Sequence, residues 1–175
     1  MFPSARVTQF SDSAAGVLPP NWLPTAIAAW NLTSSSAIPR DRVPALDVSD
    51  SAFGALDMTD IYRAIGSRFN DTSRFTMSQY NRRNDTTQVR FYLLQGGAGG
   101  GPAWSDAMLQ SVASLSHDPN LPTFRSFTVP GDAHCVINSP DMFAPVAGGT
   151  LAERIAEGPN PERAMPSGWS LAAMR

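Results

Sequence analysis

An α/β domain with a mostly parallel sheet is the fold class this sequence predicts, and three observations predict it. Strand-like and helix-like segments alternate along the chain, the order that layers helices on a parallel sheet. The strand-like runs close on turn residues, at Ser11-Asp12-Ser13, Asn84-Asp85 and Pro130-Gly131. A hydrophobic fraction of 42% over 175 residues, with only 16% charged, suffices for one packed core.

The elements follow in order. Arg6 to Phe10 reads as a short strand, and Trp22 to Leu32 carries Leu23, Ile27 and Trp30 at roughly helical spacing after a loop rich in proline. Residues 33–58 read as irregular surface structure. Thr59 opens a stronger helix, with Thr59 and Asp60 as capping candidates and Ile61, Tyr62, Ile65 and Phe69 on one face. Arg74 to Tyr80 alternates as a strand and runs into the turn Asn81 to Asp85. Gln88 to Leu94 is an apolar run that breaks at the glycine-rich stretch from Gly96 to Gly101, which reads as a flexible connection. Beyond it, Trp104, Met108, Val112 and Leu115 set the period of a helix. Thr123 to Val129 is the clearest strand, and a last helix from Leu151 to Glu157 stops at Gly158-Pro159. This organisation places one domain over residues 1–158 and an irregular tail over 159–175.

Composition narrows the function classes. The formal net charge is −2, and the basic residues, all arginine, are scattered, so nothing neutralises a phosphate backbone and nucleic acid is not expected as a partner. No stretch reaches the ~20 apolar residues of a membrane helix, and the N-terminus lacks the pattern of a signal peptide. Cys135 is the only cysteine, so no internal disulfide can form.

In a parallel sheet the carboxyl ends of the strands gather functional loops at one edge, and Asp12, Asp85 and His134 all fall at predicted strand ends. A hydrolase triad needs an imidazole to take the nucleophile's proton and a carboxylate to orient that imidazole. In α/β-hydrolases these lie on separate late loops, acid first, which makes Asp85 and His134 the candidates. An isolated histidine in a turn is more often structural, and His117, at a helix end, reads that way. Asp132 to Cys135 holds potential metal ligands, but adjacent residues point apart and no second pair of the right type accompanies them, so no metal and no cofactor are expected. The nucleophile is harder to find, because no Gly-x-Ser-x-Gly elbow occurs. Ser13 satisfies the chain order, yet Pro19 and Pro20 stand where the supporting helix should begin, and Ser170 lies after the histidine.

Four segments together resemble the C-terminal half of the pectinacetylesterase-like hydrolases, the group that includes the Notum carboxylesterases. They are Phe2 through Asp12-Ser13; Arg74-Phe75 through Tyr80 with Asp85 and Gln88; Thr123 through Phe127 with Pro130-Gly131 and His134; and Gly149-Thr150-Leu151. The resemblance implies an α/β-hydrolase-like sheet, present here only as its C-terminal half. It implies that Asp85 is the triad acid and His134 the general base, with Asp12 and Ser13 in a turn near the substrate pocket. Ala14 stands where the family has a glycine, and the disulfide cysteines of eukaryotic members are absent, which suits a bacterial-type member.

The family's elbow serine would precede Met1, so the 175-residue chain is expected to be an inactive fragment of a serine carboxylesterase. The implied substrate is a small acyl ester or an acetylated polysaccharide, and full-length relatives suggest a secreted or periplasmic setting. A half sheet would also leave uncovered surface for self-association. Two other readings stand beside this one, a non-catalytic binding protein and a small intact esterase using Ser13.

Overall fold

The computed structural model describes residues 6–20, 22–30, 57–68, 75–137, 139–143, 145–146 and 149–150. Their main sheet has three parallel strands in the order β1 (Val7–Asp12), β2 (Phe75–Arg82) and β3 (Phe124–Val129). Val7 lies opposite Phe75 and Asp12 opposite Tyr80, while Met77 lies opposite Phe124 and Arg82 opposite Val129. All three carboxyl ends therefore reach the same sheet edge. Among the described residues four α-helices accompany the sheet, α1 (Trp22–Ala29), α2 (Met58–Arg68), α3 (Thr86–Leu94) and α4 (Gly100–Ser116), with a 3-10 turn at Pro140–Phe143 and a short antiparallel pair, β4 (Pro145–Val146) and β5 (Gly149–Thr150), after them. The expected last helix, the tail, residues 33–56, Phe69 and Ser170 lie outside the described residues.

β2 is buried from Thr76 to Asn81 because it is the central strand and is covered on both faces. On one face Met77 packs with Phe124, with Tyr62 of α2 and with Leu115 of α4. On the other, Tyr80 packs with Phe127 and with Val136 from the loop after β3. Among the described residues the loop after β3 and Met142 of the 3-10 turn Pro140–Phe143 lie against this second face, and that brings the residues around His134 over the strand ends. Two polar side chains of β2 are linked inside the sheet: Gln79 Nε2 donates to Ala14 O at 2.8 Å, and Asn81 Nδ2 donates to Gln79 Oε1 at 3.0 Å, while Asn81 Oδ1 is buried without a partner.

Several boundaries differ from the sequence expectations for identifiable reasons. β1 and β2 run to Asp12 and Arg82, two residues beyond the expected ends in each case, because their neighbours keep pairing across the sheet. α2 is capped by Asp57 rather than by Thr59 or Asp60: Asp57 Oδ1 accepts from Thr59 N at 2.6 Å and Asp60 N at 3.1 Å, and Asp57 N donates back to Asp60 Oδ2 at 3.0 Å. That reciprocal pattern is a capping box, which occupies the first turn.

The glycine-rich stretch is not wholly a connection, since α4 begins at Gly100. First-turn amides need no intrahelical acceptor, so Gly101 and Pro102 are tolerated there. From that start, Trp104, Met108, Val112 and Leu115 form one buried stripe, as their spacing predicts.

Candidate active site

The site is assembled from the loops that leave the carboxyl ends of the three strands. After β2, the chain turns through Arg83 and Asn84, and Asp85 becomes the N-cap of α3. Its Oδ1 accepts from Gln88 N at 3.0 Å, which satisfies one of the helix's orphan donors. Its Oδ2 accepts from Gln88 Nε2 at 3.1 Å and meets His134 Nδ1 at 2.8 Å. Gln88 stands three residues after the cap, the spacing at which a glutamine reaches back over the first turn.

The loop after β3 is laced to this turn through the backbone. Arg83 N donates to Val129 O at 2.9 Å, Asn84 N to Gly131 O at 3.0 Å and Thr86 N to Asp132 O at 3.0 Å. Gly131 has φ +117°, a backbone conformation that residues with a Cβ rarely adopt, so the turn out of β3 favours glycine. His134 follows three residues later.

Asp85 is fully buried, with Gln88 N on Oδ1 and with Gln88 Nε2 and His134 Nδ1 on Oδ2, and as a carboxylate it can only accept. The proton in the His134–Asp85 bond therefore sits on Nδ1. Nε2, on the far side of the ring, is left as the basic nitrogen. The imidazole is 37% exposed, whereas the acid that holds its Nδ1 edge is fully buried. This pair can take up and return a proton with a fixed tautomer.

The turn after β1 meets the same loop. Asp12 accepts from Val136 N at 2.9 Å on Oδ1 and 2.8 Å on Oδ2, and from Ile137 N at 2.8 Å on Oδ2. Ser13 Oγ accepts from Cys135 N at 2.8 Å, and Ser13 N donates to Tyr80 O at 2.8 Å. Ser13 is 6% exposed, and its hydroxyl lies between the Cys135 amide and Asp12 Oδ1, 3.5 Å away. That placement gives it backbone-binding work and does not favour it as a nucleophile.

Of the residues singled out in the sequence, Asp85, His134, Asp12 and Ser13 thus converge on one loop. His117 closes α4, with Nδ1 2.8 Å from Ala113 O, in keeping with a structural role. Burial, and next the charge of Asp12, push the Cys135 thiol up from its ordinary range. Sequence reasoning did not derive the donor role of Gln88, for which the capping-box spacing was the available signal, or the contacts made by the amides of residues 135–137, for which there was none. Among the described residues no cluster of three or more His, Cys, Asp or Glu side chains could hold a metal ion, and no helix is long and apolar enough to cross a membrane. Compared with protein-family models, with curated proteins and with solved structures, the chain has no match.

Proposed function

We propose that this chain carries the acid and the base of a serine carboxylic-ester hydrolase of pectinacetylesterase-like type, with the nucleophilic serine supplied from outside its described residues. The observation that carries the reading is the 2.8 Å contact between His134 Nδ1 and the fully buried Asp85, at the carboxyl edge of a parallel sheet. In the reaction the serine hydroxyl gives its proton to His134 Nε2 as its oxygen attacks the acyl carbonyl. His134 then passes that proton to the departing alkoxide, leaving an acyl-enzyme. Water then attacks the acyl carbon as it gives a proton to His134, and His134 returns that proton to the departing serine oxygen as the acid is released. Asp85 holds the tautomer and stabilises the imidazolium throughout.

The direction of the histidine loop supports a nucleophile on the β1 side. It leaves β3, meets Asp85 beyond β2, and ends on Asp12 at the close of β1. A strand added in parallel beside β1, about 4.8 Å away, would bring its own carboxyl end to the same edge. A sheet completed in this way is the larger α/β-hydrolase-like fold that the proposal requires.

The test is labelling and hydrolysis. The 175-residue chain should resist a fluorophosphonate probe. The longest in-frame product containing it should hydrolyse p-nitrophenyl acetate and lose that activity in His134→Ala and Asp85→Asn. Labelling of the 175-residue chain that disappears in Ser13→Ala would move the nucleophile to Ser13. Absence of hydrolysis in the longer product would sink the esterase reading.

A second reading, a binding protein, draws on one observation. Beside the site, Thr86, Thr87, Arg90, Phe91 and Leu94 line a cleft of about 520 Å³, and Phe91 and Leu94 are exposed. Retention of full ester hydrolysis in Phe91→Ser with Leu94→Ser, together with lost association, would separate binding from chemistry.

A further inference from the structure

We propose that Asp12 and Ser13 are positioning residues for His134, holding the backbone of residues 135–137 so that the imidazole stays on Asp85 with Nε2 turned away from it. The inference rests on the reading of Asp85 and His134 as acid and base, and it assigns to the β1 turn a role other than contact with substrate.

Three consecutive amides directly after the histidine are bound by two consecutive side chains. Cys135 N is taken by Ser13 Oγ, Val136 N by both oxygens of Asp12, and Ile137 N by Asp12 Oδ2. Hydrogen bonds to a carboxylate are the stronger kind, and here they hold amides that no helix or strand ladder occupies. Two of the residues involved have left-handed backbones, Ser13 with φ 55° and Cys135 with φ 62°. A residue with a Cβ keeps that conformation only where its surroundings impose it. These two residues are hydrogen-bonded to each other, so the strained turn and the strained loop hold one another in place.

The base of the clamp is tied into the sheet. Asp12 is the last residue of β1, paired with Tyr80, and Ser13 N extends the sheet bonding to Tyr80 O. From beneath, Val136 is fully buried against Tyr80 and Phe127. The backbone next to His134 is thus pinned by polar bonds at the strand end and by an apolar anchor on the sheet. Asp85 alone would fix one ring nitrogen, whereas the clamp fixes where the ring begins.

NMR of the 175-residue chain tests this. The wild type should show a downfield, hydrogen-bonded Nδ1–H signal for His134, and the amides of 135–137 should exchange about tenfold or more slowly than that of exposed Ala133. Asp12→Asn keeps the size but replaces one acceptor with a donor facing bound N–H groups. It should abolish the Nδ1–H signal and speed exchange at Val136 and Ile137 by about tenfold, with the Phe10 and Ser78 amides unchanged. Ser13→Ala should release the Cys135 amide and weaken the signal.

If the signal is present in the wild type and unchanged in both variants, the clamp proposal fails while the Asp85–His134 reading stands. Absence of the signal in the wild type would overturn that reading, and the clamp with it. Should Asp12→Asn not fold, fast wild-type exchange at 135–137 or an unaltered signal in Ser13→Ala refutes the proposal on its own.

Discussion

Removing the Asp85 carboxyl group should unsettle both the first turn of α3 and the loop that carries His134. In Asp85→Ala the Gln88 amide loses its acceptor, a cap worth about 1 kcal/mol. Gln88 Nε2 and His134 Nδ1 lose a carboxylate partner each. Such bonds are worth roughly 1.5–3 kcal/mol when sheltered. Water can replace part of each, because the imidazole is 37% exposed and the Gln88 bond is only part-buried. Taking about 1 kcal/mol for each of these side-chain bonds after that replacement, the variant should lose about 3 kcal/mol in all.

For a chain of this size that is a fall of roughly 6–12 °C in Tm. Asp85→Asn can keep the cap through its carbonyl oxygen but turns an amide donor toward His134. It should lose about 1–2 kcal/mol and move the imidazole proton to Nε2. In serine-protease triads the corresponding change costs about 10⁴ in kcat, and a comparable loss is expected in an active full-length enzyme. Urea unfolding followed by circular dichroism measures the stabilities, and the histidine ring nitrogen shifts report the tautomer. An Asp85→Ala chain within about 0.5 kcal/mol of wild type, or an Asp85→Asn chain that keeps the Nδ1 proton, would refute the argument.

Gly66→Ala should destabilise by about 1–2 kcal/mol despite the better helix propensity of alanine, because the new Cβ would lie 1.8 Å from Leu121 Cδ2 in a buried cluster; a higher urea midpoint would contradict it. Cys135 should react slowly with iodoacetamide at neutral pH and accelerate only above the range of a free thiol, since burial and then Asp12 push its pKa up. In Asp12→Asn the profile should move to lower pH, and a wild-type profile at or below that of a cysteine peptide would disprove the assignment. The Asp118 carboxyl is held below its ordinary value by the Asn120 amide and then by Arg63. A depressed folded-state pKa stabilises above the unfolded value, near pH 4, and that contribution is lost as pH falls through the folded-state value. Asp118→Asn should therefore flatten the acid side of the stability curve by less than about 1 kcal/mol, as fits a partly exposed pair, and an unchanged acid slope would count against it.

Much of the fold was legible because the signals are local. Trp104, Met108, Val112 and Leu115 set a 3.6-residue period that any helix must bury, and the turn residues after Phe10, Tyr80 and Val129 mark strands that end at one edge. The cap of α2 was misplaced because Asp57, Thr59 and Asp60 are all competent caps, and only the reciprocal bonds of the folded turn choose among them.

By itself, the sequence determined the alternation of strands and helices, the buried stripe of α4 and the candidacy of an acid and a histidine on successive strand-end loops. Tertiary structure alone decided that His134 Nδ1 meets Asp85, that Asp12 binds amides 124 and 125 residues away, and that Ser13 is occupied by the Cys135 backbone. The physical reason is that side-chain periodicity is written along one segment, whereas these bonds depend on strand register and on the path of a loop across neighbouring strand ends. No local pattern encodes either of those.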